Sequence, residues 1–268
     1  MMATKCNSKM LSKWDKFQQR LIQPWINEFK RFYCILLGAD QTVHVSTFGN
    51  FRFRCRERVE FGRTLRYGGE LLSLAAFLFL LRKDDIVWDV GASVGLFTVH
   101  AAERVNRVIA YEPDPQTAAR LRENVKLNNF QHKVVVMEMA LGDKEHQEYL
   151  QTDGLGGFAP ALGNLERHSA ATPVEVKTID GLIREGVQAP SVMKIDIEGA
   201  ELLALQGARH LLRSDQRPRI VFVEVHPAFL PNFGGSSEEL FSLMRESRYT
   251  ILSTEDRAEE QHFISLRI

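Results

Sequence analysis

Cysteine is scarce in this chain. Three residues, Cys6, Cys34 and Cys55, occur in 268, all in the N-terminal quarter and with no C-x-x-C pair. That excludes a disulfide framework and a zinc site of the usual spacing, and a reducing cytoplasm is the expected setting. Long apolar runs are missing too. The longest, Leu74 to Leu81, falls far short of the roughly 20 residues a membrane-crossing helix needs. Lysines near the N-terminus are not followed by an apolar stretch with a small-residue cleavage site, so neither a secretory leader nor a membrane anchor is expected. Net charge is absent as well, 34 Lys and Arg balancing 34 Asp and Glu. A chain without basic excess is not a general nucleic-acid coat, and no nucleic-acid partner is expected.

The balanced total hides an uneven distribution. Residues 1–66 hold 13 Lys and Arg against 5 Asp and Glu. Arg52, Arg54, Arg56 and Arg58 mostly alternate with apolar residues, so a strand would set all four on one face. We read that face as solvated, with an anionic-substrate or partner surface as the alternative.

Apolar and aromatic residues at loose helical spacing over 10–38, interrupted by Pro24, predict one or two helices. Residues 42–60 read as two short strands around Gly49-Asn50, a hairpin signal, and Leu71 to Leu81 as a buried helix. These make an N-terminal helical and hairpin extension, 1–66, ahead of a larger domain, 67–268. From Asp85 onward strands and helices alternate. The strands are Ile86–Val90, Arg107–Tyr111, Lys133–Met139, Val192–Ile195 and Ile220–Val225, with a closing pair at Tyr249–Ser253 and His262–Arg267. Between them lie helices over Leu96 to Arg104, from Asp114-Pro115, from Ala200 to Leu212, and over Ser237–Glu246. The alternation predicts an α/β fold, a doubly wound and mostly parallel sheet of seven strands. Residues 141–190 are too long for one crossover. They hold strand patterns at Glu148–Gln151 and Val174–Val176, a glycine-rich loop from Gly154 to Gly163 and a helix near Ile179–Arg184. Loops this long are commonly functional, and 154–169 is a candidate lid.

The run Trp88-Asp89-Val90-Gly91-Ala92-Ser93-Val94-Gly95 ends the first parallel strand and opens a helix. Glycine there admits close approach of a ligand, and the helix start offers N–H groups. The dinucleotide fingerprint G-x-G-x-x-G is not met, because Ser93 and Leu96 stand at its second and third glycines. Glu112 closes the second strand about twenty residues on, where an acid accepts both ribose hydroxyls. At the ends of the fourth and fifth strands stand two more clusters, Lys194-Ile195-Asp196-Ile197-Glu198-Gly199-Ala200-Glu201 and Glu224-Val225-His226-Pro227. Glu201, and in part Glu198, read as helix-capping acids.

The strings VWDVGASVGLFTVHAA, VIAYEPDP, MALGD, VKTIDGL, VMKIDIEGAELLALQGA and FVEVHP follow one another in this order. In them the chain resembles the FkbM-type methyltransferases, a branch of the class I S-adenosylmethionine-dependent enzymes with a Rossmann-like fold. The resemblance spans roughly residues 68–230, and Ser93 departs from the glycine turn that often reads GANIG. It implies S-adenosyl-L-methionine as cofactor and methyl transfer to a hydroxyl of a sugar or secondary metabolite. On that footing Asp89, Gly91, Ala92, Ser93 and Gly95 line the cofactor, Glu112 takes its ribose and Met139 with Ala140 its adenine. Asp196 meets the methionine amino group or the acceptor.

An alcohol must lose its proton to attack, and neutral imidazole is available near pH 7. His226 is therefore expected to be the general base, oriented or tuned by Glu224. The alternatives are a Mg²⁺ or Mn²⁺ site made by Asp196, Glu224 and His226, and a cofactor-binding regulatory protein without turnover. The expected partner is a small-molecule acceptor. A homodimer is admitted, since the oligomeric state is not written in the sequence.

Overall fold

Ile86–Val90 (β3) is apolar at every position but Asp89, as suits a strand covered on both faces. Its residues alternate between two cores, Val87 facing one and Trp88 and Val90 the other. The computed structural model describes residues 41–56, 58–65, 67–151, 161–162, 171–258 and 261–267. In it β3 lies at the centre of a sheet ordered β12-β13-β11-β10-β3-β4-β5. The other strands are Arg107–Tyr111 (β4), Val134–Met137 (β5), Val192–Ile195 (β10), Ile220–Val225 (β11), Thr250–Ala258 (β12) and Gln261–Arg267 (β13). Pairings among β11, β10, β3, β4 and β5 are parallel, whereas β13 runs antiparallel to both β11 and β12. The chain winds from β3 outward through β4 and β5, then returns to build β10 and β11 on the other side. A sheet that reverses its order this way opens a crevice at the carboxyl ends of its central strands.

Helices cover both faces. Arg58–Leu65 (α1), Leu71–Leu80 (α2), Leu96–Arg104 (α3) and Pro115–Leu127 (α4) lie with the first core. Ile179–Arg184 (α5), Glu201–Gln206 (α6), Arg209–Arg213 (α7) and Ser237–Glu246 (α8) lie with the second. Asp114 caps α4 by accepting from Thr117 N at 2.8 Å, with Pro115 at the first helical position. A four-stranded sheet ordered β6-β9-β7-β8 occupies the long stretch after β5. Its strands are Ala140–Leu141 (β6), His146–Gln151 (β7), Ala161–Leu162 (β8) and Ala171–Lys177 (β9). No described helix is long and apolar enough to cross a membrane.

The hairpin Gln41–Val45 (β1) and Phe51–Cys55 (β2) sends Val43, Val45, Phe51, Phe53 and Cys55 into the first core beside Phe77 and Val99. Its outer edge meets α4, where Asn128 Oδ1 accepts from Arg52 N at 2.9 Å and Asn124 Oδ1 from Arg54 N at 2.7 Å. The expected face of four arginines is therefore cut short. β2 ends at Cys55, Glu60 accepts from Arg56 N, and Arg58 already belongs to α1. The single helix expected from Ala200 to Leu212 is also two. Gly207 packs so closely that a Cβ there would lie 2.0 Å from Gly142 O. Asp180 recaps the chain by accepting from His210 N at 2.8 Å and Leu211 N at 2.9 Å. The expected helices over 10–38 lie outside the described residues, as does the 154–169 segment apart from Ala161–Leu162.

Candidate active site

The crevice at the strand ends is a cleft of about 790 Å³, its open mouth included, lined by Gly91, Ser93, Glu112, Met139, Asp196 and Glu198 among others. At one end β4 delivers Glu112, only 5% exposed. Backbone donors hold it: Oε2 accepts from Ser93 N at 2.8 Å and Oε1 from Asp114 N at 3.0 Å. A carboxylate offers about four lone-pair sites, so both oxygens keep capacity for a ligand hydroxyl. Burial, outweighing those two bonds, lifts its pKa to about 7. Met139, Ala140, Leu141 and Leu150 supply an apolar wall beside it.

The glycines of the turn serve the protein's own packing first. Gly91 has φ 78°, and a Cβ there would fall 1.8 Å from Asp196 O, so this glycine lets the end of β10 close against β3. A Cβ on Gly95 would lie 2.3 Å from Leu121 Cδ1, which makes that residue a helix-packing glycine. Beneath the turn, Lys194 Nζ reaches Gly91 O at 3.3 Å, Asp196 Oδ2 at 3.1 Å and Asp89 Oδ1 at 3.5 Å. Burial works against the ammonium, but the charges of Asp196 and Asp89 prevail and raise its pKa.

At the other end of the cleft stand four carboxylates around one imidazole. His226 Nδ1 lies 2.8 Å from Glu201 Oε1, an oxygen that also accepts from Gly199 N at 2.9 Å. His226 Nε2 is 3.4 Å from Glu198 Oε2, 3.9 Å from Glu224 Oε1 and 4.0 Å from Asp196 Oδ1. Burial alone would depress the imidazole pKa. The hydrogen bond to Glu201 and the charges of Glu201, Asp196 and Glu198 overcome it and raise the value to about 9. The surrounding carboxylates thus favour the protonated ring, against the expectation of a freely neutral imidazole near pH 7. Burial pushes Glu198 up, while Lys194 and His226 hold Asp196 down despite its burial.

Asp196, Gly91, Ser93, Glu112, Met139 and Ala140 line the cleft. Asp89, Ala92 and Gly95 are not among the residues that line it; Asp89 accepts from Thr98 Oγ1 at 2.6 Å in the protein interior. His226 and Glu224, both buried, sit behind Asp196 and Glu198. Glu198, read in part as a capping acid, lines the cleft with φ 53°. Glu201, read the same way, sits in the first turn of α6 without capping it; its Oε1 accepts from Gly199 N and grips His226. The remaining surprise is Arg63, whose guanidinium arrives from α1 and donates to Ser93 Oγ. Positive φ at Glu198 was not legible, but the Glu-Gly pair at 198–199 marks a place where the chain turns tightly. One oxygen or nitrogen each of Asp196, Glu198 and His226 fall within 4.8 Å of one another, close enough to share a metal ion.

A family model described as the methyltransferase FkbM domain matches residues 89–251. A hexuronic acid methyltransferase, AglP, of Haloferax volcanii is 28% identical over 222 residues, covering 81% of this chain and 84% of that protein. The 31-O-demethyl-FK506 methyltransferase FkbM of Streptomyces tacrolimicus is 28% identical over 250 residues, covering 80% of this chain and 87% of that one. Among solved structures, a methyltransferase FkbM from Methylobacillus flagellatus KT aligns with a TM-score of 0.47 at 21% identity. That alignment covers 69% of this chain and 45% of the other, so the chain spans less than half of that relative's length.

Proposed function

Because the chain belongs to the FkbM methyltransferase domain family, we propose that it transfers a methyl group from S-adenosylmethionine to a hydroxyl oxygen of a sugar or secondary metabolite. One observation carries the reading. A cleft at the carboxyl ends of parallel strands has a buried, backbone-held acid at one end and an imidazole set among carboxylates at the other. The residues present suit the cofactor: Glu112 for the ribose, Met139 and Ala140 for the adenine, Asp196 for the amino group. S-adenosylmethionine supplies a methyl group already activated by sulfonium, so the protein has no electrophile to make.

What remains for the chain is alignment, exclusion of water and removal of one proton. Alignment contributes up to about 7–11 kcal/mol for well-placed reactants, and a base typically about 10²–10⁴-fold. The acceptor hydroxyl enters beside Asp196 and Glu198. His226 takes its proton, through Glu198 where the hydroxyl does not reach Nε2 itself. Glu201 fixes the ring by its bond to Nδ1, as the third member of a catalytic relay orients the base. Any cation brought into this cluster works against the imidazolium and favours the neutral, basic ring. The names of the relatives, a hexuronic acid and a 31-O-demethyl-FK506 methyltransferase, support an oxygen acceptor on a small molecule.

A second reading rests on the spacing of Asp196, Glu198 and His226. They would hold a divalent cation, with Glu198 rather than Glu224 as the third ligand and Glu201 behind the imidazole. Assay of labelled methyl transfer to a panel of uronic acids and polyols, before and after exhaustive chelation, separates the two. Turnover that survives EDTA supports His226 as base. Turnover lost with EDTA and restored by Mg²⁺ or Mn²⁺ supports the metal. An enzyme that fails to bind S-adenosylhomocysteine by calorimetry overturns both.

A further inference from the structure

The cleft is rich in acid. Glu112, Asp196 and Glu198 face it from the ends of β4 and β10, and Glu201 and Glu224 stand close behind. Such a site welcomes the ammonium and sulfonium of the methyl donor but repels its carboxylate. Like charges brought close in a partly buried site repel far more strongly than in water. Lys194 does not relieve this: its ammonium lies under the turn, 3% exposed, and pairs with Asp89 and Asp196. Among the described residues that line the cleft, the one cation is Arg63. α1 is pinned over the sheet by Glu60, whose Oε1 accepts from Arg120 Nε at 2.6 Å with both side chains largely buried. That anchor places Arg63 above the glycine turn, where it donates to Ser93 Oγ. Its charge favours the ionised forms of Glu112, Asp196 and Glu198.

We infer that Arg63 binds the carboxylate of the donor's methionine end, so that the segment before the alternating domain completes the cofactor site. This rests on the methyltransferase reading above. Guanidinium presents five N–H donors in a planar fork suited to a carboxylate. Ser93 lies in the glycine turn after β3, lines the cleft and donates its N–H to Glu112. The amino group at Asp196 and the carboxylate at Arg63 would then both be held within the cleft. A carboxylate on the acceptor, as in a uronic acid, has the same chemistry, and the test distinguishes the two sources.

Affinities are measured by calorimetry on the full chain for S-adenosylhomocysteine and for S-adenosyl-3-thiopropylamine, which lacks only the carboxylate. Wild type should favour the first by tenfold or more, and Arg63→Gln should abolish that preference while binding the second as wild type does. Arg63→Lys, keeping charge but not the fork, should recover part of it. Thermal unfolding of each variant guards against loss of fold, and the wild-type comparison stands even if both variants unfold. Equal affinity of wild type for the two ligands overturns the assignment. So does an Arg63→Gln variant that retains the preference, or one whose only defect is a raised KM for a uronic acid acceptor. Wild type that binds neither ligand overturns the methyltransferase reading along with it.

Discussion

Glu112 and His226 are both buried ionisable groups at strand ends, yet they are held in opposite ways. Glu112 is gripped by backbone: two N–H groups from the β3 turn and the start of α4 fix its oxygens. His226 is gripped by side chains, with Glu201 at one nitrogen and Glu198, Glu224 and Asp196 around the other. A backbone-held group keeps its geometry when neighbours change, so it suits a ligand that is always the same. A group held by charges is coupled to all of them, so its protonation answers to what enters the cleft. The end proposed for the cofactor is thus a fixture, and the end proposed for the acceptor a responsive cluster.

The strongest way to break this contrast is to remove the imidazole. His226→Ala should cut the single-turnover rate by about two to four orders of magnitude while leaving S-adenosylhomocysteine affinity intact. Near-normal turnover in a folded variant would reduce His226 to a structural histidine. Next comes Glu112→Ala, which should weaken S-adenosylhomocysteine by about 1.5–3 kcal/mol, the scale of hydrogen bonds to a charged group. In wild type this affinity should fall as pH drops through about 7, where Glu112 takes up a proton and loses acceptor capacity. The variant should show no such fall. A wild-type profile flat from pH 6 to 8 would remove Glu112 from the ribose.

The smallest effect sharpens the comparison. His226 must be unprotonated to act, and its pKa lies near 9, so wild-type kcat should rise with pH up to that region. Glu201→Gln removes a charge that favours the imidazolium and should move the limb downward by about one to two pH units, since one unit is 1.36 kcal/mol. A midpoint that stays in place would show that Glu201 does not tune the ring.

Much of the frame is legible in the sequence because it follows local rules. Continuous apolar runs mark β3 and β11, Asp114-Pro115 marks the start of α4, and Gly91 marks the turn that ends β3. Glu112 is readable for the same reason, its distance from the glycine turn being set by one helix and one strand. The chemistry of the acceptor end is less legible. Glu201 and His226 lie 25 residues apart and meet only when β10 and β11 pair, so neither residue advertises the other. Protonation of His226 is raised by three acids, Asp196 and Glu198 after the end of β10 and Glu201 at a helix start, which imidazole alone does not announce. Arg63 lies beyond the arginines read as a solvated face, and nothing in the local spacing marks it. Where β2 stops, and how α1 then turns inward, depends on Glu60 meeting Arg120 across the fold.

Two side chains that face the cleft, Ser93 and Glu198, hold left-handed backbone at φ 50° and 53°, a region in which glycine and asparagine rest far more easily. Strain of this kind is of order 1–3 kcal/mol per residue, set against roughly 5–15 kcal/mol for a whole domain. The most durable version of this chain and the working version are therefore different sequences. Ser93→Gly and Glu198→Gly should each relieve that strain while removing a side chain from the cleft.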